Sequence, residues 1–371
     1  MKKYLITVLI TILFSVAFAQ NNNNEIESVI STAVEQIVKS QQEDGSWPYE
    51  GVYRVGGEIP IGYKVGGTAI VCQMLLFVNN DSDKEAAGAF SKGIDFILEG
   101  LEHPLMKPST VNTYDVRLWG HSYALQLFCY LKNAGFSYVS SKQRASIEKW
   151  IPDLVKILLE EELPQGGWNY ATRSQQATFV TGPVAQTLIW AKALGVNVPP
   201  QVLRKTKDVL LAARYSSGAF EYSGKKGMYD KPERSAIQGS IARSALAETT
   251  LYLLGESSIE NIQNAVEAFH KYWDELEKRR KKPGTHEPPY GIAPYYFYFG
   301  HYYAAQAVEM LPENVRVNER TRLKNLIMKT IDSDGTWNDR IFERSKAYGT
   351  AMAVMTLISD RIPLAEKVGL K

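Results

Sequence analysis

Two kinds of apolar pattern alternate along this chain. In one, apolar residues recur every three or four positions among charged ones, the spacing of a helix that buries a single face. In the other, small and apolar residues run together with few charges: Gly67 to Val78, Thr181 to Leu194, Gly239 to Leu254 and Tyr348 to Ile358. Between the two stands a short turn with a glycine two places before an aromatic ring. It reads Gly45-Ser46-Trp47 in QQEDGSW, Gly166-Gly167-Trp168 in PQGGWNY, Gly218-Ala219-Phe220 in SSGAFEY and Gly335-Thr336-Trp337 in DSDGTWND. The unit is an αα-hairpin, and the chain is built from repeats of it.

The aromatic rings are 121, 52 and 117 residues apart, which reads as two units, one unit and two units. Two further units have lost the turn signature, and two segments fill the gaps: 112–131, NTYDVRLWGHSYALQLFCYL, and 294–311, PYYFYFGHYYAAQAVEML. Six helical pairs result. They either extend as an open solenoid or close on themselves, and closure is favoured because neither end carries a polar capping repeat. No Gly/Ser/Pro-rich linker divides the 371 residues, so 25–371 reads as one all-α domain.

The turn Gln42-x-x-Gly45-x-Trp47 resembles the QW motif of the squalene–hopene cyclase, oxidosqualene cyclase and prenyltransferase superfamily, and the repeat covers nearly all of the chain after residue 24. The resemblance implies an (α/α)6 toroid of six helical hairpins, with inner helices around a central cavity and outer helices around those. In physical terms, the glycine permits a turn that a Cβ would obstruct. The aromatic packs across neighbouring helix ends, and the glutamine can bond a free helix terminus. These residues are expected to stabilise the ring and not to carry chemistry.

The superfamily's chemistry is missing. An Asp-x-Asp-Asp acid, which needs adjacent carboxylates to hold one proton, has only the partial strings Asp81-Ser82-Asp83-Lys84 and Asp332-Ser333-Asp334-Gly335. Both read as solvated loop acids. The prenyltransferase zinc pair Asp-x-Cys does not occur, nor does the Cys-Gly-Glu-Gln thioester of the α-macroglobulin and complement toroids. No metal site and no cofactor is expected.

Three segments carry candidate chemistry. In Asn112-Thr113-Tyr114-Asp115-Val116-Arg117-Leu118-Trp119-Gly120-His121, helical spacing puts Tyr114, Arg117 and His121 on one face. A phenol, a guanidinium and an imidazole together can neutralise a carboxylate and move a proton; the same set can also serve as polar contacts between packed helices. In Pro288 to Tyr303, Pro294 suits a helical first turn, and Tyr295, Tyr298 and Tyr302 then share a face. With His301 they suit a sugar ring, a sterol-like ligand or a cation, or aromatic packing between helix layers. The glycine-rich stretch Gly51 to Gly67, with Arg54, Glu58, Tyr63 and Lys64, is expected to fold over a mouth of the toroid, and Tyr229 to Arg234 is a similar case. The expected catalytic groups are His121, His301, Tyr114 and Asp115. The expected ligand contacts are Asn112, Arg117, Trp119, Tyr63, Lys64, Tyr295, Tyr298 and Tyr302.

The chain opens MKKYLITVLITILFSVAFAQ: two lysines, an apolar stretch and Ala17-Phe18-Ala19 in small-x-small form. This is the pattern of a secretory signal peptide, residues 1–19, with export to the periplasm or beyond and a polar, disordered segment 20–24 after cleavage. The alternative is an uncleaved N-terminal anchor. With 42 basic and 40 acidic residues, bulk charge gives no reason to expect nucleic acid or an anionic membrane as partner. The basic run Lys278 to Lys282 is expected at a helix C-terminus. Cys72 and Cys129 lie in apolar surroundings and are expected to be buried free thiols, although export would allow a bridge.

Three readings of function follow. The first is an exported cyclase-like toroid that binds or transforms an apolar, isoprenoid-like ligand in an aromatic-lined cavity. The second is a polysaccharide-active enzyme of lyase type, in which Tyr, His and Arg neutralise a uronate and move a proton. The third is a non-catalytic module that presents the toroid rim to a protein partner. A closed apolar lumen favours the first, an open cleft with Arg and His the second, and a filled centre the third.

Overall fold

The computed structural model describes residues 24–49, 59–78, 83–107, 116–170, 175–228 and 235–368. In chain order its α-helices are α1 (24–39), α2 (Ile61–Val78), α3 (Lys84–Leu101), α4 (Arg117–Asn133), α5 (Ser141–Glu160), α6 (Thr178–Ala193) and α7 (Pro200–Ala213). Then come α8 (Ile241–Leu253), α9 (Ile259–Lys271), the short α10 (Trp273–Glu277), α11 (Tyr296–Glu309), α12 (Glu313–Met328) and α13 (Lys346–Leu357). Among the described residues there is no β-strand, only isolated bridges such as Arg214 with Phe220.

Helices α2, α4, α6, α8, α11 and α13 pack in that order, and α13 returns to pack on α2. The ring is closed, and the fold is an all-α (α/α)6 toroid. The outer layer is α1, α3, α5, α7, α9 and α12. Burial separates the two layers. Every residue of α4 from Arg117 to Leu131 is buried, whereas α9 buries only Ile262, Ala265, Val266 and Phe269, a single stripe. The four small-apolar runs are all inner helices, and the two segments without the turn signature supply the others.

Those two helices start later than the pattern suggests. Val116, at φ 52°, precedes α4, so the helix begins at Arg117. Pro294 stands before α11 and accepts from the Phe297 N–H instead of occupying the first turn. Inner helices approach closely through glycine: a Cβ on Gly66 would overlap the Trp119 indole, and one on Gly120 would meet the Gly62 carbonyl at 2.8 Å.

The four glycine–aromatic turns share one hydrogen-bond scheme. The glycines have φ of 86°, 102°, 80° and 81°, in the left-handed region that a side chain resists. The backbone N–H groups of Trp47, Trp168, Phe220 and Trp337 donate to the hydroxyls of Thr68, Thr181, Ser240 and Thr350 at 2.7–3.0 Å, tying each turn to its inner helix. The indole N–H groups of Trp47, Trp168 and Trp337 donate to the carbonyls of Ile37, Leu158 and Ile327 at 2.7–3.0 Å, satisfying outer-helix ends. The glutamine plays a different part from the one expected. Gln42 closes the turn through its backbone, while the side chain of Gln41 reaches the Ala89 carbonyl at 2.8 Å.

The loop acids are structural. Asp83 caps α3 by accepting from the Glu85 and Ala86 N–H groups. Asp44 and Asp334 pair with Lys64 and Lys346, each at 2.8 Å. The basic run follows the end of α10, with Arg280 on Glu277 at 2.6 Å and Lys281 on Asp332 at 2.5 Å. The ring seam is closed by Gly335 against Thr32, Arg361 on Glu27 and the rings of Tyr49 and Tyr348, 4.4 Å apart. Cys72 and Cys129 are buried and free. Helix α2 is apolar and long enough to cross a membrane, but 72% of its 18-residue window is buried inside the protein. Residues 1–23, with the expected signal peptide, lie outside the described residues.

Candidate functional site

Outer and inner helices alternate around the closed ring, so the six inner helices run in one direction and their N-terminal ends converge. Each contributes a buried side chain from its first turn: Tyr63, Trp119, Phe179, Arg243, Tyr296 and Tyr348. Around them stand residues two places beyond the turn aromatics: Tyr49, Tyr222 and Asp339 on three turns, and Tyr170 on the fourth. The result is an aromatic mouth. On one side Tyr49 contacts Tyr63, Trp119 and Tyr348 at 5.4, 5.7 and 4.4 Å between ring centroids. On the other, Phe179 stacks on Tyr296 at 4.5 Å and contacts Tyr222 at 5.7 Å.

A hydrogen-bonded network crosses the second side. The Tyr222 and Tyr295 phenol oxygens are 3.2 Å apart; Tyr295 Oη is 3.2 Å from His286 Nε2, and Tyr296 Oη is 3.1 Å from His286 Nδ1. His286 is exposed, and its backbone φ of 57° is one that a histidine rarely adopts. A neutral imidazole placed between two phenols donates to one and accepts from the other, so a proton can pass along the set. Burial and the surrounding phenols hold the Tyr295 hydroxyl well above the ordinary tyrosine range.

Among the described residues, two guanidinium groups flank this side. Arg340 donates to Tyr49 Oη at 3.4 Å and lies 5.8 Å from the Tyr295 ring centroid; Arg243 lies 5.8 Å from that of Phe179. Beside Arg340, Asp339 is fully buried, and neither carboxylate oxygen has a well-formed hydrogen bond. Burial pushes its carboxyl up to about 7.

Below the mouth the axis is filled. Tyr123 of α4 meets Tyr303 of α11 at 3.2 Å between phenol oxygens, Phe299 packs on Tyr303 at 4.5 Å, and Gln306 donates to Tyr302 Oη at 2.8 Å.

The residues singled out in the sequence are scattered by the fold. Trp119, Tyr63 and Tyr295 do stand at the mouth. Arg117 does not face the axis: it is fully buried between layers and pairs with Glu161, at the end of outer helix α5, at 3.1 Å. His121, one turn on, is buried beside it, and desolvation and the Arg117 charge push its pKa down to about 3. His301 is also turned outward. Its Nδ1–H donates to the Phe297 carbonyl at 2.7 Å and its Nε2 accepts from Trp273 Nε1 at 2.8 Å, which fixes a neutral tautomer; burial holds its pKa down to about 3. Tyr298 reaches Thr330 at the end of outer helix α12, Tyr302 lies in the filled axis, and Lys64 serves the first turn through Asp44. Asn112, Tyr114 and Asp115, with Arg54, Glu58 and Tyr229 to Arg234, fall outside the described residues.

Tyr49, Tyr170, Tyr222 and Asp339 were readable in the sequence as one register, the second residue beyond each turn aromatic, once the turns are superposed. Arg243, His286 and Arg340 carry no such mark.

No protein-family profile and no curated protein matches the sequence. Solved structures do match the fold. The chain superposes on the type II terpene cyclase MstE from Scytonema with a TM-score of 0.53 at 16% identity, covering 91% of this chain and 98% of that one. On the α-1,6-mannanase GH76A of Salegentibacter sp. HEL1_6, an inactive variant in complex with α-1,6-mannotriose, the TM-score is 0.57 at 12% identity, covering 90% and 99%. A possible GH105 member from Klebsiella pneumoniae gives 0.50 at 13% identity, covering 91% and 93%. The likeness is one of fold, shared by terpene cyclase and glycan-active toroids.

Proposed function

We propose that this protein is an exported, glycan-active toroid that binds sugar rings at the aromatic mouth of its inner ring. The observation that carries the reading is the chain Tyr222–Tyr295–His286–Tyr296, which places phenol faces for stacking beside an exposed imidazole that can take up and return a proton. An isoprenoid chain needs a long apolar lumen, and the axis beneath this mouth is occupied by Tyr123, Tyr303 and Tyr302. The mannanase was inactivated by replacing two aspartates, whereas this sequence has no two consecutive aspartates. Hydrolysis by a carboxylate pair needs two such groups flanking the bond. Of the two carboxylates at this mouth among the described residues, Glu221 is engaged by the Tyr215 hydroxyl and the Tyr222 N–H, and Asp339 is sealed. Proton abstraction and return by Tyr and His, the lyase type of chemistry, suits the set better.

The filled axis also agrees with a non-catalytic, rim-presenting module, and the exposed Tyr–His network separates the two readings. Calorimetric titration with neutral and acidic oligosaccharides and with a prenyl diphosphate tests them. Oligosaccharide binding that is lost in Tyr295→Ala is expected, and ultraviolet absorbance from an unsaturated sugar end, lost in His286→Gln, would mark turnover. Binding of the prenyl compound with no sugar binding would overturn the reading.

A further inference from the structure

Arg243 carries a buried positive charge that has no ion-pair partner among the described residues. The side chain is 3% exposed. Its Nε donates to the Phe220 carbonyl at 2.8 Å and its Nη1 to the Gly239 carbonyl at 2.7 Å, so the guanidinium is held at a fixed angle by two neutral acceptors. Its Nη2 has no hydrogen-bond partner among the described residues and is not sealed in. Three other arginines that are partly or fully buried are each matched by a carboxylate: Arg117 with Glu161 at 3.1 Å, Arg214 with Glu248 at 2.8 Å and Arg320 with Glu309 at 2.5 Å. Glu221, a carboxylate whose charge reaches Arg243, accepts from the Tyr215 hydroxyl and the Tyr222 N–H and is not within ion-pair distance of Arg243. Desolvation lowers the proton affinity of Arg243, yet a guanidinium keeps its proton at any pH the protein meets. A desolvated cation of this kind is stabilised by an anion placed on its free edge. The converging N-terminal ends of six inner helices add positive potential at the same place.

We propose that Arg243 anchors the carboxylate of the bound sugar, so that the ligand is an acidic glycan whose uronate ring lies against Tyr222 and Tyr295 while its carboxylate meets Nη2. This rests on the glycan reading and names its substrate class. Arg243 acts here as a binding and specificity residue, and the Tyr–His network is left to any proton transfer.

The test titrates the wild-type protein with galacturonate, glucuronate and mannuronate oligomers, with their methyl esters, with manno-oligosaccharides and with octanoate. At least one uronate is expected to bind at least about tenfold more tightly than its ester, the scale of a charge-assisted hydrogen bond, and to weaken as salt is raised. Arg243→Met should remove the preference for acid over ester, and Arg243→Lys should keep the preference with reduced affinity. Arg243 also holds two carbonyls, so the acid–ester contrast is read first in the wild type, which tests the subsite without any variant. Neutral sugars or esters binding as tightly as acids would overturn the anion subsite and leave the glycan reading in place. Octanoate binding that depends on Arg243, with no sugar binding, would overturn the glycan reading and keep the subsite. Failure of every ligand would overturn both.

Discussion

The phenol oxygens of Tyr123 and Tyr303 lie 3.2 Å apart across the axis of the ring, joining α4 and α11, the second and fifth of its inner helices. Each hydroxyl is buried and has the other as its only hydrogen-bond partner among the described residues. This contact closes the axis beneath the aromatic mouth, so the candidate site is a mouth and not a tunnel.

That pairing has an asymmetric energetic signature. Tyr303→Phe leaves the Tyr123 hydroxyl buried without a partner and is expected to lower stability by about 1–3 kcal/mol. The double variant Tyr123→Phe/Tyr303→Phe removes donor and acceptor together and should recover most of that loss. Urea unfolding of the four proteins measures it, and additive losses would mean that the two hydroxyls do not interact.

The turn aromatics act on stability. Trp168→Ala loses a fully buried indole and its bond to the Leu158 carbonyl, and should destabilise by about 3–5 kcal/mol. Thermal and denaturant midpoints within error of wild type would contradict the role given to these turns.

Two glycines should respond in opposite directions to the same methyl group. On α3, a Cβ at Gly88 meets nothing within 4 Å, so Gly88→Ala should stabilise by about 0.5–1 kcal/mol through lower backbone entropy in the unfolded chain. Gly66→Ala drives a methyl into the Trp119 indole and should cost about 1–3 kcal/mol. Equal effects at the two sites would contradict the close packing of α2 on α4.

Asp339 makes stability depend on pH with an unusual sign. Its carboxyl titrates near 7 when folded, pushed up by burial, against about 4 for an unfolded carboxyl. Between those values the folded protein holds a proton that the unfolded chain has released, so this group lowers stability as pH rises through the window. Asp339→Asn should flatten that part of the curve and be more stable than wild type at pH 8. His121 and His301 act with the opposite sign. Held down to about 3 by burial, they stay neutral in the folded state and reduce stability as pH falls below the ordinary histidine range. Urea midpoints at pH 5 and 8, with imidazole proton shifts that stay in the neutral position at pH 5, check both signs.

Burial pushes both thiols up, Cys129 to about 12, so the thiolate is scarce at neutral pH. Native protein isolated without reductant should show two thiols that alkylate only after unfolding. A crosslinked Cys72–Cys129 peptide in the mass spectrum would contradict this.

The alternation of one-faced and wholly apolar helices, punctuated by glycine–aromatic turns, determined the toroid. Each unit is a local pattern, and the six close into a ring in which α13 packs on α2. The direction in which the inner side chains point was decided by the tertiary structure alone. An outer helix such as α9 has a polar face that orients it, but α4 and α11 are buried on every side, so spacing cannot tell an axis-facing residue from one between layers. Tyr63 and Trp119 therefore reach the mouth while Arg117 and His301 turn toward the outer helices. Arg243, in the first turn of α8, and His286 and Arg340, in the loops that lead into α11 and α13, come from separate units and stand at one mouth only because those ends of the ring converge. That Arg243 has no ion-pair partner among the described residues is likewise a property of the assembled ring, since it depends on where the carboxylates of other units have been placed.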